Sequence, residues 1–267
     1  MTAAGSFRRW VRRLVPAAAT LALASAACTG SGSAPAGPPV DRLGSAFTYV
    51  AIGASETVGI GTDDPLRQAW TQILYRTAMP RNATFVNLGI PGATVADALA
   101  DEAPQALALS PALATVWLNV NDLIAGVPPA QYEAQLDQLI STLRGGGATR
   151  VLVANTPPLD HLPAYLACHG FLPTPQGCDT TRRLPPSAVN RAVAAYNAAI
   201  ARVAAKDGAL LVDLQAAGLA ARRAGTEDRL VSSDGFHPNP AGHLLVAETF
   251  AAALRRAWPD LLAPATR

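Results

Sequence analysis

The chain has 267 residues, half of them apolar, with a formal charge of +2 and only three cysteines. That length fits one medium domain with extensions, and the apolar share is enough for a sizeable core. Four of the 21 basic residues, Arg8, Arg9, Arg12 and Arg13, stand in the first 28 positions, where there is no acid. This leaves 17 basic against 19 acidic residues in the remainder, near −2, so the positive total does not indicate a nucleic-acid partner.

The N-terminus reads as an export signal over residues 1–28: a basic segment, the apolar run Leu14 to Ala24, then small residues up to Cys28. The apolar run is short for a bilayer span. Ala24-Ser25-Ala26-Ala27-Cys28 resembles a bacterial lipoprotein cleavage box, which would make Cys28 the lipidated first residue and the membrane a partner through that anchor. Ser25 stands where leucine is usual, so ordinary cleavage after Ala24-Ser25-Ala26 is the alternative, and the paired arginines are a weak hint of the twin-arginine route. Either way the expected location is the cell envelope or the exterior. Residues 29–42 are rich in Gly, Ser, Pro and Ala and predict a flexible linker, followed by a domain over residues 43–267.

Within that domain, short apolar runs alternate with longer helical patterns. The runs are Thr48 to Ile52, Thr84 to Leu88, Thr115 to Leu118, Val151 to Ala154 and Ala209 to Val212; their unbroken apolar character suits strands covered on both faces. Tyr132, Leu136, Leu139, Ile140 and Leu143 share one helical face, ended by Gly145-Gly146-Gly147. Val189, Val193, Tyr196, Ile200 and Val203 repeat the pattern, with Ser187 as the expected N-cap, and a last helix is expected from about residue 241 to 257. The alternation predicts a three-layer α/β/α sandwich on a five-stranded parallel sheet, with ligands at the carboxyl ends of the strands.

Residues 155–186 interrupt this rhythm with prolines, apolar side chains, Cys168 and Cys178. Such a long loop, starting at a strand's carboxyl end, reads as a wall or partial lid near the site, or as a surface excursion. In an exported protein the two cysteines suit one local disulfide. A metal held by Cys168, His169 and Cys178 is the rival, but adjacent residues rarely address one ion and no fourth ligand is evident.

The residues that carry chemistry follow the strands: Gly53-Ala54-Ser55 after the first, Asn87-Leu88-Gly89-Ile90-Pro91-Gly92 at the second, Asn119-Val120-Asn121-Asp122 after the third, and Asp234-Gly235-Phe236-His237 before the last helix. Each alone has a plain structural reading: Ser55 as an N-cap, the glycines as turns, Asn121 as a cap, Asp234 and His237 as a surface turn. Together, in this order, they resemble the SGNH (GDSL-type) hydrolase family, whose sandwich is flavodoxin-like. The resemblance implies Ser55 as nucleophile, His237 as base with Asp234 orienting it, and an oxyanion hole from Ser55, Gly92 and Asn121. Ala54 stands where the family commonly has aspartate, and Asn119 where it has glycine. His161, His169 and His243 match no block and are expected on the surface or in loops.

The implied activity is a serine esterase or lipase that forms an acyl-enzyme on an ester substrate and requires neither metal nor organic cofactor. The chain is expected to be a monomer. A carbohydrate O-acetyl esterase and, from another class, an inactive surface binding lipoprotein are the alternatives.

Overall fold

The computed structural model describes residues 47–169, 178 and 183–261. The export signal, Cys28 and the linker lie outside these residues. In chain order the elements are β1 (Thr48–Gly53), α1 (Ser55–Val58), α2 (Pro65–Gln68), α3 (Trp70–Ala78), β2 (Thr84–Asn87), α4 (Val95–Asp97), a π-helical turn (Ala98–Glu102), α5 (Ala103–Ala108), β3 (Leu113–Trp117), α6 (Val120–Ile124), α7 (Pro129–Arg144), β4 (Arg150–Ala154), α8 (Pro163–Ala167), α9 (Pro186–Asp207), β5 (Leu210–Val212), α10 (Leu214–Arg223) and α11 (Pro240–Ala257).

All five strands are parallel in the order β2-β1-β3-β4-β5, the flavodoxin-like arrangement. Because successive side chains of a strand point to opposite faces, each central strand feeds two cores. Val50 and Ile52 of β1 and Val151 and Val153 of β4 pack with α7 and α9 on one face. Tyr49, Ala51, Leu152 and Ala154 pack with α3 and α11 on the other. On the first face Tyr132 and Tyr196 stack at 4.2 Å, and their hydroxyls donate to the carbonyls of Leu118 and Val127. The strand order reverses between β1 and β3, which opens a crevice at their carboxyl ends. Ser55 follows β1 and Asn121 follows β3, so the topology places these two residues on either side of it.

Two local expectations are corrected. Ser187 does not cap α9: the N-cap is Pro185, with Pro186 as the first helical residue, since proline's fixed φ starts a helix without loss of a needed N–H. His243 is not at the surface but fully buried on α11. Its Nδ1 accepts from the Trp70 N–H at 3.2 Å, so the proton is on Nε2, which donates to the Ile60 carbonyl at 3.1 Å. Burial lowers its pKa and keeps it neutral.

The segment after β4 is described in part. Cys168 and Cys178 are joined in a disulfide, and the His169 ring is held by the carbonyls of Tyr165 and Leu184. Asp160 takes hydrogen bonds from Asn190 of α9 and Arg222 of α10, and Arg222 also pairs with Glu227. This partly buried network ties the start of the segment to two helices.

Candidate active site

The turn that carries Ser55 depends on a residue with no side chain. A Cβ at Gly53 would stand 2.1 Å from Thr57 Oγ1 and 2.9 Å from the Trp117 carbonyl, so a larger residue would push α1 off the end of β1. Ser55 opens α1 and is buried. Asn87, at the end of β2, donates to the Thr57 carbonyl at 2.7 Å and accepts the Gly89 N–H at 3.0 Å. One side chain thus links α1 to the loop after β2.

That loop makes a tight turn over Ile90-Pro91-Gly92-Ala93, closed by the Ala93 N–H donating to the Ile90 carbonyl at 3.0 Å. Gly92 has φ +85°, the third-position geometry of a type II turn with proline before it. Nothing lies within 4 Å of a Cβ built there; the requirement for glycine is conformational. The Ile90 N–H donates to the Gly53 carbonyl at 2.9 Å, which fixes the turn against β1. Asn121, in the first turn of α6, donates through Nδ2 to the Ala93 carbonyl at 2.9 Å, and its second amide N–H meets no acceptor among the described residues. Among the described residues no protein acceptor takes the backbone N–H of Ser55 or of Gly92.

The last member arrives on the loop before α11. Asp234 Oδ1 accepts from the Ser232 hydroxyl and from the N–H groups of Phe236 and His237 at 2.8, 2.8 and 2.9 Å, while Oδ2 lies 2.6 Å from His237 Nδ1. Partial burial works against its charge, but these four contacts outweigh it and hold the carboxyl at about 2. An ionised Asp234 requires the proton on Nδ1. The lone pair of Nε2 is then free, and it faces Ser55 Oγ at 2.9 Å.

The structure therefore brings together Ser55, His237 and Asp234 in one hydrogen-bonded chain, with Gly92 and Asn121 on neighbouring, mutually bonded loops. Beside them is a cavity of about 120 Å³ with mainly apolar walls from Trp117, Pro157, Leu159, Leu162 and Phe236. Ala164 N–H of α8 donates to the Gly235 carbonyl, so the described part of the long segment both walls this cavity and touches the histidine loop. Asn119 is buried and donates to the Ala154 carbonyl at 3.3 Å, binding β3's end to β4's.

Three acids around the site carry no signal of a role in the sequence. Glu56 follows Ser55 and lines the cavity; an acid at the start of a helix is ordinary and draws no notice. Asp122 is fully buried, accepts the Val95 N–H, and is raised to about 6 by burial. Glu102 is fully buried in the π-helical turn, a feature that often marks functional sites, and accepts the Gly53 N–H at 2.8 Å. It supports the nucleophile turn from 49 residues away in the chain, a link that no local pattern encodes.

Burial pushes Glu102 up to about 8, well above the value of about 4.3 for a free glutamate. A raised carboxyl binds its proton more tightly in the folded state. Its contribution is full below about pH 4.3 and is lost as pH rises through 8, with a slope approaching 1.4 kcal/mol per pH unit, roughly, between those limits. Glu102→Gln should flatten that part of the stability curve, measured as urea midpoints from pH 5 to 9; an unchanged slope would place the proton elsewhere.

The sequence profile of the GDSL-like Lipase/Acylhydrolase family matches residues 51–245. Esterase TesA of Pseudomonas aeruginosa is 31% identical over 124 residues, which cover 45% of this chain and 60% of that protein; the match spans less than two thirds of the relative. Among solved structures, a crystal structure of TesA superposes with TM-score 0.57 at 24% identity over 78% of this chain and 98% of the other. The lipase/acylhydrolase from Enterococcus faecalis gives 0.60 at 18% identity over 83% and 100%. At these identities the two structures speak for the fold.

Proposed function

We propose that this chain, which belongs to the GDSL-like lipase/acylhydrolase family, is a serine hydrolase that cleaves carboxylic esters through an acyl-enzyme on Ser55. The observation that carries this is the Ser55 Oγ to His237 Nε2 contact of 2.9 Å, backed by the 2.6 Å contact of Nδ1 with an ionised Asp234. A serine hydroxyl is a weak nucleophile until a base takes its proton. Here Nε2 accepts it as Oγ attacks the carbonyl carbon, and Asp234 stabilises the resulting imidazolium. The carbonyl oxygen, now negative, receives the free N–H groups of Ser55, Gly92 and Asn121. His237 then gives the proton to the leaving alcohol. Water repeats the sequence in reverse, losing its proton to Nε2 and releasing the acid.

The apolar cavity beside Ser55 supports an acyl or alkyl group as the part of the substrate it receives. Hydrolysis of p-nitrophenyl esters from acetyl to palmitoyl, with Ser55→Ala as control, tests the reading. Turnover that vanishes in the variant is expected. Equal turnover by both proteins would place the chemistry elsewhere, and a folded protein inert on every ester and on acetylated glycans would favour a binding role.

Export and attachment to the membrane through Cys28 are part of the same proposal, supported by the residue pattern of the first 28 positions. Cys28→Ser is expected to move the protein from the detergent phase to the aqueous phase in Triton X-114 partitioning. Unchanged partitioning would remove the anchor.

A further inference from the structure

Glu56 is the one ionisable side chain among the described residues lining the apolar cavity next to Ser55. Its Oε2 stands 3.4 Å from Ser55 Oγ, longer than an ordinary hydroxyl hydrogen bond, while His237 Nε2 is at 2.9 Å. The serine proton is therefore directed to His237. The carboxyl's remaining hydrogen bond comes from its own backbone, and the charged groups that act on it are His237, which favours its ionised form, and Asp234, which opposes it. No lysine or arginine pairs with it among the described residues. Glu56 is half-buried, and the apolar surroundings raise its pKa.

A carboxyl facing apolar walls is costly unless a donor meets it. A plain alkyl chain in this cavity would cover Glu56 and leave it without a further partner. A chain with a hydroxyl or ammonium close to the ester would supply one, and Oε2 lies near enough to the nucleophile for a group within a few bonds of the reacting carbonyl to reach it. We propose that Glu56 is a specificity-determining residue, which makes this cavity select esters bearing a hydrogen-bond donor close to the reacting carbonyl. The inference rests on the ester-hydrolase reading and names the substrate class for it. Sites that hydrogen-bond a substrate group discriminate strongly against analogues that lack it, because the site's own polar atom is then left unpaired.

The test is kcat/KM of the full-length protein on three matched esters: methyl butanoate, methyl β-hydroxybutanoate and methyl β-aminobutanoate. The wild type is expected to prefer a donor-bearing ester over methyl butanoate by about 10 to 100-fold. Preference for the hydroxy ester identifies a hydroxyl as the partner, and preference for the amino ester an ammonium. Glu56→Leu should abolish the preference. Glu56→Gln, which keeps the shape and an acceptor oxygen but cannot carry charge, should retain part of a hydroxyl preference and lose an ammonium preference; it carries the test if the leucine variant does not fold. Hydrolysis of methyl butanoate with the same ratios in wild type and both variants would overturn the role of Glu56 and leave the esterase reading intact. Failure to hydrolyse any of the three by a protein that turns over a p-nitrophenyl ester would overturn the substrate class and leave the esterase reading intact, whereas inertness on both sets would overturn both.

Discussion

Replacing His237 with alanine is expected to lower kcat on a p-nitrophenyl ester by about 10⁴-fold or more, and Ser55→Ala by a similar factor. The double variant should be no slower than either single one. The reason is geometric. Ser55 Oγ and His237 Nε2 share one proton across 2.9 Å, so removing either partner removes the same step. Two residues that contributed separately would multiply their losses. Asp234→Ala should cost less than His237→Ala, because Nε2 would still face Oγ in the fraction of molecules with the right tautomer. That variant also strips the acceptor from Ser232, Phe236 and His237, so the loop before α11 should loosen, visible as faster amide exchange at Phe236 and His237. Additive losses in the double variant would show that the contact is not used in the reaction.

Much of the fold was legible because a parallel sheet writes itself as unbroken apolar runs. The runs at Thr48 to Ile52 and Val151 to Ala154 are strands β1 and β4, buried on both faces. The boundary moved at β3, which starts at Leu113 and not at Thr115: Leu113 and Ala114 are apolar but not β-branched, so the strand signal in the sequence begins only at Thr115. The edge strand β2 is half exposed, yet was found from its composition. The positions of Ser55, Gly92, Asn121, Asp234 and His237 at element ends were legible for a related reason, since in an open α/β sheet the strand ends are where side chains can converge. What the chain does not display is who faces whom across the core. His243 looks like any helix histidine until the Trp70 N–H is placed against it. Glu102 looks like surface charge until the π-helical turn carries it beneath Gly53. Both are polar groups answering a backbone group far away in sequence, and only the tertiary structure pairs them.

Asn121→Ala is expected to lower kcat by about 100 to 1000-fold with little change in KM, the cost typical of one lost donor to an oxyanion. The size follows from how the amide is held. One N–H is committed to the Ala93 carbonyl at 2.9 Å, which fixes the amide plane before any substrate arrives, and the other is free for the charge that develops in the transition state. A donor already in place costs no reorganisation as that charge forms, so its loss falls on kcat. The same bond steadies the turn that carries Gly92, so the variant should also weaken the second donor of the hole. Asn121→Asp separates the two effects. An ionised carboxylate there can donate to neither the Ala93 carbonyl nor the substrate oxygen and repels both, so near pH 7 it should be at least as slow as alanine. Gly92→Ala probes the turn alone: it keeps the N–H but forces a side chain into the left-handed region at φ +85°, at a backbone cost of roughly 1 to 2 kcal/mol. If Asn121→Ala raised KM and left kcat unchanged, the amide would be binding the substrate in its ground state, and the charge would have to be met by the Ser55 and Gly92 N–H groups alone.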